Sequence, residues 1–284
     1  MLKVCILLIA ATMPTSALRK ILVTGANKGI GKQICAKILS EVPDAHVLLG
    51  SRDAARGAAA VADLSAYEGR VEAVELDVTD ESSVAKAAEG VDGPLYGIVN
   101  NAGVGFGRTI AETLAPNYYG AKRVCAHFLP KLDQEVGRVV NIASASGPNF
   151  VSRLDDAALF TSPDTTIADL EAALEAYAAS PDYEGVAYGL SKASLHVLSM
   201  NLAREHPNLK INSCSPGYIL TDLTAGMGAS KRPEDSNCHV APLFLLFDEG
   251  VPTPPGEAWY YGSDAVRSPL DRYRDPGTPP YRGD

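Results

Sequence analysis

Two side chains that can move a proton stand four positions apart in this chain. Tyr188 and Lys192 begin and end the pentapeptide Tyr-Gly-Leu-Ser-Lys, and residues i and i+4 of a helix lie on one face. A phenol with a pKa of about 10 exchanges its proton poorly at neutral pH, but a cation within about 4–6 Å lowers that pKa by roughly 1–3. The pair therefore predicts a tyrosine proton donor tuned by a lysine, although this spacing also arises by chance in many helices.

A glycine-rich turn lies near the N-terminus, between an apolar run and a helical pattern. The apolar run covers 21–23, the turn covers 24–31, and apolar residues recur at helical spacing over 30–38. The glycines of the turn, spaced Gly-x-x-x-Gly-x-Gly, are Gly25, Gly29 and Gly31. Such a turn lets the pyrophosphate of a dinucleotide approach the backbone and the helix N-terminus. The alternative is an ordinary turn between a strand and a helix.

Further motifs follow the turn in a definite order. They are Asn100-Asn101-Ala102-Gly103, Asn117 in Asn-Tyr-Tyr-Gly, Ser144 in Asn-Ile-Ala-Ser, and Ser215-Pro216-Gly217 followed by Thr221-Asp222. With the turn and the tyrosine–lysine pair, this order resembles the short-chain dehydrogenase/reductase family, and within it the carbonyl reductases. The resemblance runs from about Lys20 to Tyr261. It implies an α/β fold with a Rossmann-type doubly wound parallel sheet of seven strands and helices on both faces.

The resemblance also implies a catalytic tetrad and a reaction. The tetrad is Asn117, Ser144, Tyr188 and Lys192. Hydride passes from a nicotinamide to a carbonyl carbon, Tyr188 donates the proton, and Ser144 hydrogen-bonds the same oxygen. Lys192 tunes Tyr188 and reaches the nicotinamide ribose, while Asn117 holds a water that connects Lys192 to solvent. Two structural alternatives remain: Ser144 as a strand-end hydroxyl, and Asn117 as a helix residue bonded to backbone.

The end of the second strand indicates which nicotinamide cofactor is used. An NAD enzyme places an acidic side chain there for the ribose 2′-hydroxyl, whereas an arginine nearby suits a 2′-phosphate. Here Ser51 is neutral and Arg52 offers a planar donor fork. Lys28, in the glycine turn, resembles a second 2′-phosphate contact of the carbonyl reductases. Asp53 is the one acidic neighbour, but it stands where an N-cap is expected. NADPH is therefore the predicted cofactor.

The resemblance assigns binding residues to several segments. The cofactor-binding residues are Gly25, Asn27, Lys28, Gly29, Ile30, Gly31, Arg52, Asp77, Val78, Asn100, Asn101, Ala102, Gly103, Tyr188, Lys192, Pro216, Gly217, Ile219 and Thr221. Of these, Asp77 and Val78 are expected to face the adenine. The substrate-binding residues are Ser144, Tyr188 and Tyr218, with Phe150 and Tyr183 as further candidates. An apolar rim of this kind fits many aldehydes, ketones and quinones.

An insertion separates the catalytic serine from the tyrosine. The two stand 44 positions apart, further than in most members of the family. The inserted segment, about 147–187, contains a predicted helix over 167–177, with Thr166 and Asp169 at capping-box spacing. Its apolar face comprises Ile167, Leu170, Leu174 and Tyr177. Carbonyl reductases similar to this chain carry such an insertion over the surface that tetrameric relatives use to pair, so we expect a monomer.

Strand and helix patterns alternate along the chain, which is typical of a doubly wound parallel sheet. We expect a single domain over 18–261. A polar tail over 262–284 follows; it has no apolar period and is expected to be loosely held. The strands are predicted near 21–24, 46–49, 71–76, 96–100, 139–143, 210–214 and 258–261.

The composition narrows the class of partner. An apolar fraction of 46% suits a globular α/β protein. A formal charge of −9 without a basic cluster argues against nucleic acid as the main partner. The five histidines are scattered without ligand spacing, so we expect no metal. The expected partner is a small carbonyl compound.

The first 17 residues permit two interpretations. A short apolar run after Lys3, followed by Thr15-Ser16-Ala17, is typical of a signal or targeting peptide, but the run is too short to span a membrane. The alternative is translation from Met13. The chain has no Asn-x-Ser/Thr sequon and no disulfide-like cysteine spacing. These features favour an intracellular protein. The cytoplasm is the expected location, with an organelle or the secretory pathway as the alternative if residues 1–17 are a targeting peptide.

One other class of function fits the same motifs. A non-catalytic sensor that binds NADP(H) on this fold would retain the glycine turn. Such a sensor has no need of a proton donor, so the presence of all four tetrad residues favours an enzyme.

Overall fold

The central element is an eight-stranded sheet with the order β3-β2-β1-β4-β5-β6-β7-β8. The computed structural model describes residues 18–180 and 185–283; the predicted leader, 1–17, lies outside them. The strands are β1 Arg19–Val23, β2 Ala45–Ser51, β3 Val71–Glu75, β4 Gly97–Asn100, β5 Arg138–Ile142, β6 Lys210–Cys214, β7 Tyr260–Tyr261 and β8 Arg267–Ser268. All neighbours pair in parallel except β7 and β8.

Helices cover both faces of the sheet. They are α1 Gly29–Glu41, α2 Ala54–Ala62, α3 Glu81–Glu89, α4 Ile110–Leu114, α5 Ala121–Phe128, α6 Ser146–Val151, α7 Ala158–Thr161, α8 Ile167–Ala179, α9 Ala187–Glu205 and α10 Val240–Phe247. A π-helix, Ala115–Gly120, joins α4 to α5. Short 3-10 turns occur at Ser65–Tyr67, Leu129–Lys131 and Pro233–Asp235. No helix among the described residues is long and apolar enough to cross a bilayer.

The central strands are apolar along their whole length because both of their faces are covered. Leu22 and Ile98 lie in the core on one face, and their neighbours Val23 and Val99 lie in the core on the other. This double burial holds the strands in register and brings their carboxyl ends to one edge. The chain order reverses between β1 and β4, which is where ligands bind in sheets of this type.

The seven predicted strands are confirmed, with ends shifted by at most two residues. The predicted N-cap Asp53 is confirmed as well. Asp53 accepts a hydrogen bond from the Arg56 backbone N–H at 2.9 Å and caps α2. Asp80 accepts from the backbone of Ser82 and caps α3, which ends at Gly90. Each such cap stabilises a helix by about 1 kcal/mol.

The number of strands differs from the prediction. An eighth strand, β8, forms within the tail that was expected to be loosely held, so that expectation is wrong for this part of the tail. Arg274 forms an ion pair with Asp264, and the Arg267 guanidinium lies 3.6 Å from the centre of the Trp259 ring. A two-residue strand held by such contacts has no apolar period, which is why periodicity did not reveal it.

The described residues of the insertion contain the helices α6 to α8, between β5 and α9. The predicted helix is confirmed as α8, including the capping box of Thr166 and Asp169. Leu170 and Leu174 are buried in the core. Glu171, on the same helix, accepts hydrogen bonds from the side chains of Lys122 and Tyr118, at 2.6 and 3.1 Å. Apolar packing and a part-buried ion pair therefore hold α8 against the body of the domain.

Candidate active site

The glycine turn joins β1 to α1 at the carboxyl edge of the sheet, and two of its glycines are required by close packing. Gly25 has φ +62°, and a Cβ there would lie 2.8 Å from the Cα of Ala102. A Cβ on Gly31 would lie 2.4 Å from Asn101 Nδ2 and 2.8 Å from the Gly25 carbonyl oxygen. The turn thus packs directly on the segment after β4. This leaves the backbone N–H groups at the start of α1 near the surface, as a phosphate site requires.

Hydrogen bonds of Thr24 and Asn101 hold the glycine turn against the segment after β4. The Asn101 side chain donates to the carbonyl oxygens of Thr24 and Gly25, at 2.9 and 3.1 Å. In return the Thr24 hydroxyl accepts from the backbone N–H groups of Asn101 and Ala102, both at 3.0 Å. Asn101 therefore shapes the turn through its side chain. Sequence reasoning gave Thr24 no role, although its place directly before the first glycine was a usable signal.

Asn100 is placed differently from its neighbours in the motif. Its amide donates to Asn141 Oδ1 at 2.8 Å, and Asn141 in turn donates to the Ser199 hydroxyl at 2.8 Å. This buried chain links β4, β5 and α9. The Asn100 Nδ2 thus donates inside the core, whereas its buried Oδ1 has no hydrogen-bond partner among the described residues. A cofactor contact by this residue stays a prediction.

Tyr188 and Lys192 lie on one face of α9, as predicted. Lys192 Nζ is 5.6 Å from the centre of the Tyr188 ring and donates to the Ile142 carbonyl oxygen at 2.8 Å. Ile142 is the last residue of β5, so this bond anchors the lysine at the carboxyl edge of the sheet. Ser144 follows two residues later and lies close enough to the Tyr188 hydroxyl to influence its pKa. Three of the four tetrad residues are therefore brought together.

The protonation of this cluster departs from the sequence prediction. Burial lowers the pKa of Lys192 to about 8. Burial also raises the pKa of Tyr188, and the nearby Ser144 side chain only partly opposes this effect. The predicted lowering of the Tyr188 pKa is therefore wrong for this structure, because desolvation disfavours the phenolate and only Ser144 acts to lower the pKa. The consequence is a phenol that keeps its proton until an acceptor arrives.

The Ser144 hydroxyl is held by its neighbour but is not locked. Its Oγ accepts from the Ser146 backbone N–H at 3.1 Å and donates to the Ser146 hydroxyl at 3.3 Å. A hydroxyl–hydroxyl distance of 3.3 Å is long for such a bond. The Ser144 proton can therefore turn to a better acceptor, such as a carbonyl oxygen placed beside Tyr188.

Asn117 is buried in the π-helix, and its amide is occupied by protein partners. Its Oδ1 accepts from the Val104 N–H at 2.8 Å, while its Nδ2 donates to the Val104 carbonyl at 3.1 Å and to the Ser191 hydroxyl at 3.0 Å. A Cβ on Gly103 would lie 2.8 Å from Asn117 Oδ1. The side chain thus holds the segment after β4 against α9, which is the structural alternative raised from the sequence. A role in holding water stays a prediction.

The two cations expected near the 2′-phosphate have different surroundings. Arg52 is exposed after β2, and within residues 18–180 and 185–283 its guanidinium has no hydrogen bond or ion pair. Lys28 is also exposed but forms an ion pair with Asp222, from the segment after β6. Asp53 is engaged as a helix cap. Arg52 is thus the available cation, and the pairing of Lys28 is a contact that sequence reasoning missed.

The remaining predicted cofactor residues line the same edge. Asp77 accepts from Thr79, through its backbone N–H at 2.9 Å and its hydroxyl at 2.7 Å, so it orders the end of β3. Val78 is buried beside it. On the other side, Gly217 has φ +91° and starts a turn towards Thr221. A Cβ on Gly29 would lie 3.7 Å from Thr221 Cγ2. The segment 215–224 therefore lies over the glycine turn.

The mouth of the site is apolar. The Phe106 ring lies 4.5 Å from the Tyr188 ring, centre to centre, and is 45% exposed. Tyr218, Leu223 and Met227 are exposed large side chains of the segment after β6. Gly105 packs against Leu223, since a Cβ on it would lie 3.1 Å from Leu223 Cγ. Phe106 was not predicted from the sequence. It follows the Asn-Asn-Ala-Gly motif after one valine and one glycine.

Of the other two rim candidates, Phe150 lies among the described residues. Phe150 is buried and packs edge-to-face on Phe160, at 5.5 Å, and on Tyr177, at 6.1 Å. Its expected place at the exposed rim is therefore wrong, because the insertion uses this ring for its own packing. Tyr183 lies outside the described residues.

The fold and the ordered site place this chain in a known class of protein. A family model described as short chain dehydrogenase matches residues 19–154. The chain belongs to the short-chain dehydrogenase/reductase family. Within the described residues, no group of three histidine, cysteine or acidic side chains is placed to hold a metal ion.

Individual relatives resemble nearly the whole chain. It is 30% identical to (+)-neomenthol dehydrogenase from Arabidopsis thaliana, over 83% of this chain and 94% of that protein. It is 31% identical to carbonyl reductase [NADPH] 1 from Macaca fascicularis, over 78% of this chain and 88% of that one. Among solved structures it resembles salutaridine reductase from Papaver somniferum, with a TM-score of 0.73, 26% identity and coverage of 84% of this chain and 99% of that chain.

Proposed function

We propose that this protein reduces a carbonyl compound, an aldehyde, ketone or quinone, to the alcohol with NADPH. One observation carries the proposal: Ser144 and Tyr188 present two hydroxyl donors side by side, with Lys192 behind them, at the sheet edge that holds the glycine turn. Two donors aimed at one point suit an oxygen that gains negative charge. The names of the relatives, carbonyl reductase [NADPH] and neomenthol dehydrogenase, support the same class of reaction.

The glycine turn fits a dinucleotide. Side chains are excluded at Gly25 and Gly31 by contacts of 2.4 to 2.8 Å, so backbone alone faces the space where a pyrophosphate would lie. Arg52 would hold the 2′-phosphate. Asp53, the acidic residue after β2, caps α2 and is therefore not available to bind a ribose 2′-hydroxyl. These features support NADPH over NADH.

The side chains supply the proton and stabilise the developing charge. A bound nicotinamide supplies hydride to the carbonyl carbon. Tyr188, whose pKa is raised by burial, donates its proton to the carbonyl oxygen as the charge appears there. Ser144 donates a second hydrogen bond to that oxygen in place of its long bond to Ser146. Lys192 remains mostly charged at neutral pH because its pKa is about 8, and it lies close enough to stabilise the phenolate left on Tyr188.

The mouth supports an apolar substrate. Phe106 packs on Tyr188 and is exposed, Leu223 packs against the neighbouring Gly105, and Tyr218 and Met227 are exposed large side chains of the same segment as Leu223. Clustered exposed apolar side chains mark binding sites. We therefore expect turnover of apolar carbonyl compounds in preference to charged ones.

We further propose a cytoplasmic monomer. The docked helix α8, fastened by Glu171 to Lys122 and Tyr118, covers the surface on which the resemblance places pairing in tetrameric relatives. The cysteines in the described part of the chain, Cys35, Cys125, Cys214 and Cys238, are buried and unpaired, which suits a reducing compartment. Light scattering of the purified protein tests the monomeric state, and a stable tetramer would contradict it.

A panel of carbonyl compounds assayed by the consumption of NADPH tests the proposed activity. Apolar ketones, aromatic aldehydes and quinones are compared with charged keto acids, and NADH serves as the parallel cofactor. Turnover of at least one apolar compound is expected. Tight NADPH binding without turnover of any compound would instead favour the non-catalytic sensor.

A further inference from the structure

His196 is a buried histidine with an unpaired nitrogen, one helical turn beyond Lys192. Tyr188, Lys192 and His196 stand at positions i, i+4 and i+8 of α9, so they share a face. His196 is 3% exposed. Its Nδ1 lies 2.7 Å from the hydroxyl of Ser213 on β6, whereas its Nε2 has no hydrogen-bond partner among the described residues.

An unpaired buried nitrogen is unfavourable, because the group has lost its bond to water and gained none in exchange. Burial lowers the pKa of His196 to about 3, so the ring is neutral at physiological pH and has one donor and one acceptor nitrogen. Ser213 satisfies only one of them. A small polar partner at Nε2 would therefore stabilise the buried ring.

A cavity of about 10 Å³ borders the His196 ring and the catalytic serine. Its polar neighbours are Ser144, Lys192, His196 and Tyr260, and Val151 and Phe160 from the insertion form part of its apolar wall. This volume has room for about one water molecule and is far too small for a carbonyl substrate. The Tyr260 hydroxyl lies near the Ser215 side chain, and Lys192 donates to Ile142. The unpaired His196 Nε2 and the weakly bonded Ser144 hydroxyl are therefore the groups that a water here would join, and the other Nζ protons of Lys192 are available to the same water.

We propose that this cavity is a binding site for one buried water, and that His196 acts through this water as a positioning residue for the Ser144 hydroxyl. The inference rests on the proposed function, in which Ser144 donates to the carbonyl oxygen. Either tautomer of His196 serves, since water can both accept from Nε2–H and donate to Nε2.

The water would act where Ser144 has only a weak hydrogen bond, the one to the Ser146 hydroxyl. Ser144 donates to Ser146 at 3.3 Å, and this bond must be given up when a carbonyl oxygen binds. A water that donates to Ser144 Oγ from the His196 side holds the oxygen in place while its proton turns to the substrate. Donation to an oxygen also strengthens the bond that its own proton makes, so the serine becomes a better donor.

The test begins with His196→Leu, which removes the polar partner. Turnover should fall about 2- to 13-fold, the net worth of one hydrogen bond, with KM for NADPH unchanged. His196→Gln retains a donor and an acceptor and should recover most of the loss. His239→Leu is the matched control, because His239 also has an unpartnered buried ring nitrogen but lies at the start of α10; turnover should be unaffected.

A double-mutant cycle separates positioning from mere packing. In a Ser144→Ala background, His196→Leu should cause no further fall in turnover, because the group that it positions is absent. An equal fall in both backgrounds would overturn the proposal and make His196 a structural residue. A crystal structure of the protein with NADP⁺ is the direct check: a water bonded to His196 and Ser144 supports the proposal, and a dry cavity overturns it.

Tyr188→Phe distinguishes failure of this inference from failure of the proposed function. If Tyr188→Phe abolishes turnover while His196→Leu matches the unaltered protein, the water site alone is refuted. If Tyr188→Phe retains full turnover, the proposed chemistry itself fails and the positioning role of His196 falls with it.

Discussion

Replacement of Arg52 by alanine should separate the two nicotinamide cofactors. The guanidinium is exposed and has no partner among the described residues, so no internal bond is broken by its removal and the fold should be unaffected. A hydrogen bond to a charged group contributes about 1.5–3 kcal/mol, which corresponds to roughly 10- to 150-fold in affinity. NADPH binding should weaken by this factor, while NADH binding changes little.

The ion pair of Lys28 sets the size of a second, smaller effect. Lys28 and Asp222 are both well exposed, and such pairs contribute about 0.2–1 kcal/mol. Asp222→Asn removes the competitor for the lysine and should therefore tighten NADPH binding by about 1.4- to 5-fold. Lys28→Ala should weaken NADPH binding less than Arg52→Ala does, because part of its charge is already neutralised.

The assay is a titration of each variant with both cofactors, followed by the fluorescence of the bound nicotinamide. NADH is the internal control, since it lacks the 2′-phosphate but is otherwise identical. Equal weakening of NADPH and NADH by Arg52→Ala would refute the assignment and show that the preference arises elsewhere. Weaker NADPH binding in Asp222→Asn would show that the ion pair supports the site and does not compete with it.

Three further outcomes are expected. Tyr188→Phe keeps the ring that packs on Phe106 but loses the proton donor, so turnover should fall at least about 100-fold with NADPH affinity unchanged; near-normal turnover would remove Tyr188 from the mechanism. Leu174→Ser should lower the free energy of unfolding by about 2–5 kcal/mol, whereas exposed Ala176→Ser on the same helix should change it little; similar denaturation midpoints would show that α8 is not docked. The pKa of Lys192 is lowered to about 8, so the lysine loses its charge, and reduction should slow, as the pH rises through about 8. An unfolded lysine keeps its proton to about pH 10.4, so the unfolded chain binds more protons between these values and Lys192 should make stability rise with pH there; Lys192→Met should lack both effects.

Much of the fold follows from local patterns in the sequence. The strands and the helix α8 were predicted within two residues because their apolar period and caps depend on neighbours only a few positions away. The glycine turn was also predictable from the sequence, since a positive φ at Gly25 and close packing at Gly31 permit no other residue. The proximity of Tyr188 and Lys192 follows from helix geometry alone.

Tertiary structure decided what depends on distant partners and on burial. Lys28 meets Asp222 across 194 positions, and the tail forms β8 through contacts of Arg274 and Arg267 that have no periodic signal. The direction of the Tyr188 pKa shift could not be predicted from the lysine four residues away, because desolvation in the assembled core is the largest cause and raises the pKa. The unpaired nitrogen of His196 is likewise a property of the packed helix. Local sequence determines which elements form and which side chains share a face, whereas solvent exclusion and long-range pairing set their chemistry.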